Sequence, residues 1–261
     1  MTARILYINP IGTDVFDRPM LEIFQRVKMP ETVVDVVSLP PDRPKHVEYH
    51  SYEAFSVVDT VRIVRQERDH YDAIVIGCFY DLGLREAREV SGKAIVTAPC
   101  QSAVQIASQL ANTFSVLVGR RKWIPKMSEN VRLYGYGHRM QSMRPLGLGV
   151  HDFQADTEFT HDRLLTEGRK AVEEDGAEAL ILGCTAEFGF NAWLQDELGV
   201  PVIDATTAPL KMAEMLVHSA QVLGWYPSRK WGSEEPPASE LEPWGLFNMA
   251  APIGGKVQGE R

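Results

Sequence analysis

Nowhere do the 261 residues offer the ~18–20 consecutive apolar positions that a membrane-spanning helix requires. The opening Met1-Thr2-Ala3-Arg4-Ile5 passes straight into a strand-like pattern, so no export signal is expected. Cysteine is scarce: three residues, an odd number, with no C-x-x-C pair. That excludes a disulfide framework and a thioredoxin-type motif, and points to reduced thiols in the cytosol. Positive charge is in deficit, with 27 Lys and Arg against 35 Asp and Glu and a net charge of −8. Such a surface has no footprint for nucleic acid or an anionic membrane, and a small molecule is the expected partner. His138 and His151 show no ligand spacing with other donors, so no metal is expected.

What is present is a core-forming chain, 44% hydrophobic, long enough for two lobes. Short apolar runs alternate with helical patterns, the signature of parallel sheets wrapped by helices. Strands are predicted at 5–9, 33–39, 73–77, 94–97, 114–118, 145–150, 179–183 and 202–204. Helices are predicted at 18–27, 57–69, 83–90, 102–112, 158–175, 190–198 and 208–223. The series repeats. Asp72-Ala73-Ile74-Val75-Ile76-Gly77-Cys78 is matched by Glu178-Ala179-Leu180-Ile181-Leu182-Gly183-Cys184, and each is followed by a second strand about twenty residues on. Two pseudo-symmetric α/β lobes are therefore expected: 1–98 with 208–226, and 99–207, followed by a Pro- and Gly-rich tail, 227–261, whose Trp231, Trp244 and Phe247 favour docking. The apolar helix faces and the aromatic tail make a homo-oligomer plausible on sequence.

Each lobe then carries a cysteine at the carboxyl end of a buried strand, where open α/β sheets bind ligands. Two thiols on opposite walls of a cleft suit one reaction well. One, ionised, removes a proton from a carbon next to a carbonyl; the other, protonated, returns a proton to the opposite face. Thiols titrate close enough to neutrality for both roles. A single Gly-Cys at a strand end reads as packing; a matched pair reads as function. Cys100 has no counterpart in the repeat and reads as structural.

Gly77-Cys78-Phe79-Tyr80-Asp81-Leu82-Gly83-Leu84 resembles the first cysteine motif of hydantoin and allantoin racemases. Gly183-Cys184-Thr185-Ala186-Glu187 resembles the second cysteine motif of the wider aspartate/glutamate racemase superfamily. Ile8-Asn9-Pro10 resembles that group's first-strand substrate loop. The resemblance covers roughly Arg4 to Leu223. It implies two Rossmann-like lobes with the active site between them, no pyridoxal phosphate or other cofactor, no metal, and an acid–base pair at Cys78 and Cys184. Asn9, Phe79, Tyr80, Thr185, Gly119 and Arg120 are the substrate-binding candidates. Ile11-Gly12-Thr13 after Pro10, Thr185-Ala186 after Cys184 and the basic run Arg120-Arg121-Lys122 depart from the usual hydantoin racemase pattern. A hydantoin or allantoin is the leading substrate class; an aspartate- or glutamate-type amino acid, or cis–trans isomerisation of a maleate-like diacid, stays open beside it.

Smaller expectations follow. Asp81 suits an Asx-turn capping the helix just after it. Glu187 suits a first-turn helix charge. The stretch from Val47 to Tyr52 suits a loop closing over the site.

Overall fold

The computed structural model describes residues 2–260 and contains two compact units, one formed by Met1–Gly77, Leu82–Thr97 and Leu210–Arg261, the other by Cys78–Asp81 and Ala98–Pro209. Each is a sheet flanked by helices. Among the described residues, no helix is long and apolar enough to cross a membrane.

The first unit starts with β1 (Ala3–Asn9), α1 (Asp17–Val27) and β2 (Thr32–Ser38). α2 (His50–Glu67), β3 (Ala73–Ile76), α3 (Leu84–Val90) and β4 (Ile95–Thr97) follow. The strands are rich in Val and Ile, and β3 is buried at every position, as a parallel strand covered on both faces must be. In the second unit, α4 (Pro99–Leu110) opens with a proline in its first turn, where the missing N–H costs nothing. β5 (Phe114–Val118), α5 (Ile124–Leu133), β6 (Met140–Pro145), α6 (Thr157–Glu173), β7 (Leu180–Leu182), α7 (Asn191–Leu198) and β8 (Val202–Asp204) complete it. Asp156 starts α6 by accepting the Phe159 N–H at 3.0 Å. α8 (Ala208–Leu223), from Leu210 on, groups with the first unit.

The strand orders repeat. In the first sheet β2, β1, β3 and β4 are neighbours in that order; in the second, β6, β5, β7 and β8. All these pairs are parallel. In each sheet the order reverses between the first strand and the third, at β1/β3 and at β5/β7. Such a reversal leaves a crevice at the carboxyl ends of those strands.

Three sequence expectations need correction. The strand predicted at 145–150 lies earlier, at β6. It is an edge strand whose residues are all half-buried or exposed, so Met140-Gln141-Ser142-Met143-Arg144 carries no apolar run. The apolar residues Leu146 and Leu148 are buried in the loop after it. α5 was not expected at all. α2 begins at His50, so the stretch taken as a closing loop is partly the first turn of a helix. The tail holds α9 (Ala238–Trp244) and β9 (Gly255–Val257), which pairs antiparallel with β2 and makes the first sheet five-stranded.

Candidate active site

In both sheets the third strand gives way to glycine and then cysteine. The Gly77 N–H donates to the Ile8 carbonyl at 2.8 Å, and the Gly183 N–H to the Leu117 carbonyl at 2.7 Å, so each glycine extends the ladder one residue beyond its strand. Glycine is required there by crowding. A Cβ on Gly77 would sit 2.3 Å from the Tyr7 ring, and one on Gly183 would sit 2.6 Å from the Leu117 carbonyl oxygen. The cysteine that follows is thereby held at the carboxyl end of an interior strand. No disulfide links the three cysteines; Cys78 and Cys184 are half-buried and Cys100 is fully buried. Burial, then the charges of Asp81 and Cys78, push the Cys100 thiol well above its ordinary range, which leaves it inert at neutral pH.

Both cysteines open the same turn. The Asp81 N–H donates to the Cys78 carbonyl at 2.9 Å, and the Glu187 N–H to the Cys184 carbonyl at 3.0 Å. Each turn thus ends in an acid three residues after its cysteine. Around Cys78, Phe79 and Tyr80 are buried at 2% and 5% exposure. The Tyr80 carbonyl accepts the Asn130 side-chain N–H at 2.7 Å. Asp81, at a φ of 50° that Asp tolerates better than most residues, accepts the Cys100 N–H at 2.8 Å, the Gln101 N–H at 2.9 Å and the Tyr134 hydroxyl at 2.9 Å. It therefore caps α4, not the helix next to it in sequence. Asn130 and Tyr134 come from the unexpected α5 and its end.

Around Cys184, the Ala186 N–H points back at the cysteine sulfur, 3.4 Å away. An N–H aimed at sulfur stabilises negative charge placed there. Thr185 is buried, and its carbonyl accepts the Thr206 hydroxyl at 2.9 Å. The Ala186 and Phe188 carbonyls accept the Gln154 amide at 2.9 and 3.2 Å. Glu187 is not on a helix; it is 0% exposed beneath the turn, and α7 starts only at Asn191. Burial and then the nearby Asp204 push its carboxyl well above the ordinary range. Asp204 ends β8 with its own carboxyl raised by burial, though partly offset by backbone N–H donors, among them Thr206 at 2.7 Å.

The remaining candidates fall at the partner strand ends. Gly119 and Arg120 follow β5, beside the end of β7 that leads to Cys184. Gly119 is buried, Arg120 half-buried and Arg121 exposed. Asn9 ends β1, beside the end of β3 that leads to Gly77. It is 2% exposed, and its amide donates to Asp17 at 3.0 Å, which leaves its carbonyl oxygen as the acceptor. Cys78, Phe79, Tyr80, Gly119, Arg120, Cys184 and Thr185 thus belong to the second unit and Asn9 to the first. Sequence reasoning missed Asn130, Tyr134 and Asp204; the helical period of Met127 and Val131 was the available signal for the first two.

The model of the Asp/Glu/Hydantoin racemase family matches residues 5–213. A hydantoin racemase of Rhizobium meliloti is 39% identical over 215 residues, 82% of this chain and 88% of that protein. A hydantoin racemase of Pseudomonas sp. (strain NS671) is 33% identical over 243 residues, 93% of this chain and 97% of that protein. Among solved structures, the allantoin racemase from Klebsiella pneumoniae superposes with a TM-score of 0.82 at 27% identity, covering 90% of this chain and 94% of that one. By sequence along most of its length, and by fold, the chain belongs to the Asp/Glu/hydantoin racemase family, a family of isomerases.

Proposed function

We propose that this protein is a cofactor-independent racemase of a 5-substituted hydantoin or an allantoin-like compound, with Cys78 and Cys184 as its acid–base pair. The observation that carries this reading is the pair itself: two partly exposed thiols, each after a glycine at the end of a buried strand and each opening the same turn, while the third thiol is fully buried. The relatives named for hydantoin and allantoin support the substrate class.

In this reading the hydrogen removed sits between a ring nitrogen and a carbonyl. One cysteine, as thiolate, takes it as a proton and leaves an enolate. The other, as thiol, delivers a proton to the opposite face, and the two sulfurs have exchanged protonation states. Backbone N–H groups of the cysteine turns stabilise the enolate oxygen. Asn9, Phe79, Tyr80, Gly119, Arg120 and Thr185 are the proposed substrate-binding residues. The reduced thiols support a cytosolic setting, and the apolar helix faces with the aromatic tail support assembly of copies of the chain.

The test is to incubate one enantiomer of a 5-substituted hydantoin in deuterium oxide and follow optical rotation and C5 deuterium together. Loss of rotation with matching deuterium uptake is expected. No exchange on any hydantoin or on allantoin overturns the substrate assignment.

A further inference from the structure

The turn after Cys184 holds a carboxyl group that the proton-transfer scheme leaves unused. Glu187 is 0% exposed, and neither of its oxygens closes a hydrogen bond. They lie near the backbone of Cys184 and of Gly183, whose N–H is already given to the Leu117 carbonyl at 2.7 Å, and near the carboxyl of Asp204. Asp204 is the better supplied of the two acids, since its oxygens take the Thr206 N–H at 2.7 Å and the Gly189 N–H at 3.4 Å. Two facing buried carboxyls do not both ionise, and the one with donors keeps the charge. Glu187, buried and without a closed hydrogen bond, is the one of the two that burial disfavours more as an anion. Its state matters to the sulfur. An anion packed under the same turn would oppose a thiolate at Cys184 through low-dielectric protein. A neutral acid of the same size fills the space without that opposition.

We propose that Glu187 is a positioning residue for Cys184: as an uncharged carboxylic acid it fills the interior side of the 184–187 turn, holds the Ala186 N–H on the sulfur, and places no negative charge against it. This rests on the reading of Cys184 as an acid–base group. It gives a role to a residue for which the repeat alone suggests only a helix charge.

The experiment follows site-specific alkylation of Cys184 and Cys78 by iodoacetamide, resolved by peptide mass spectrometry across pH, in the wild type, Glu187→Gln and Glu187→Ala. Glu187→Gln, isosteric and neutral, is expected to leave the Cys184 profile within about 0.3 pH unit. Glu187→Ala is expected to change the Cys184 rate about fivefold or more and to spare Cys78. Should the alanine variant fail to fold, Glu187→Met, of similar length, replaces it with the same expectation. A Cys184 profile moved about one unit toward acid in Glu187→Gln means that an anion was removed, and overturns the proposal. So does an alanine or methionine variant that leaves both cysteines unchanged or alters both alike. A second readout is C–H exchange: Glu187→Ala should slow the enantiomer that Cys184→Ser slows and spare the other, and equal slowing of both overturns the proposal. If no hydantoin exchanges with any protein, the substrate assignment fails, while alkylation still decides the role of Glu187.

Discussion

The turns after Cys78 and Cys184 begin from the same strand-end glycine, close with the same hydrogen bond and end in an acid at the same position. Asp81 spends its carboxylate on three donors, two of them at the head of α4. Glu187 has none within bonding geometry. The difference traces to the next strand of each repeat. In the second unit Asp204 stands at the end of β8 and already holds the Thr206 N–H on the way into α8. In the first repeat the matching strand end is Thr97-Ala98, with no charge to offer, and Asp81 takes the donors instead. A duplicated frame thus keeps its geometry while its charges are reassigned.

The largest effect expected is on the cysteines themselves. Cys78→Ser and Cys184→Ser should each reduce net racemisation by about 10³-fold or more. Each variant should retain hydrogen exchange on one enantiomer, and the two should retain opposite ones. Wild-type racemisation by either variant would break the symmetry between the two turns.

Next come the glycines. Gly183→Ala drives a Cβ against backbone oxygen, whereas Gly77→Ala meets the Tyr7 ring first. Both should destabilise, by about 1–3 kcal/mol, with Gly183→Ala the worse, as read by denaturant midpoints. Equal losses would mean that Tyr7 is held as rigidly as the backbone.

Asp81→Ala removes a helix cap and leaves a side chain poorly suited to its positive φ, so a loss of about 1–2 kcal/mol is expected. Tyr134→Phe, which removes one of the three donors, should cost about 1 kcal/mol. A Tyr134→Phe loss as large as that of Asp81→Ala would place the hydroxyl, rather than the α4 amides, at the centre of the cap.

The smallest effect is a change of slope. Glu187 has a folded pKa raised above its unfolded value, so its contribution to stability is complete below about pH 4.5 and is lost as pH rises through the folded pKa. The unfolded chain ionises there while the folded chain keeps its proton. Glu187→Gln should therefore match the wild type near pH 4 and gain on it progressively above pH 4.5, leaving the declines due to Asp17 and Asp204, whose carboxyls burial also raises. A gap that stays constant with pH would mean a carboxyl ionised in both states.

Much of this was legible in the sequence. The glycine–cysteine repeat is local, and seven of the eight predicted strands coincide with observed ones, because a buried parallel strand is an unbroken apolar run. β6 escaped because an edge strand lacks that run. Asp81 looked like a local Asx turn; its partners at Cys100 and Tyr134 lie 19 and 53 residues away, and no local spacing encodes them. Glu187 looked like a first-turn helix charge because nothing in Thr185-Ala186-Glu187 reveals that its side chain is buried and that α7 starts only at Asn191.

The fifth strand of the first sheet has a consequence for biosynthesis. β9 lies within the last seven residues of the chain, yet it pairs with β2 near the beginning. The second unit is nearly continuous in sequence, whereas the first sheet gains its outer strand only once Gly255–Val257 has left the ribosome. The more continuous unit is positioned to consolidate first, and the unit whose segments lie on either side of it is the last to be finished.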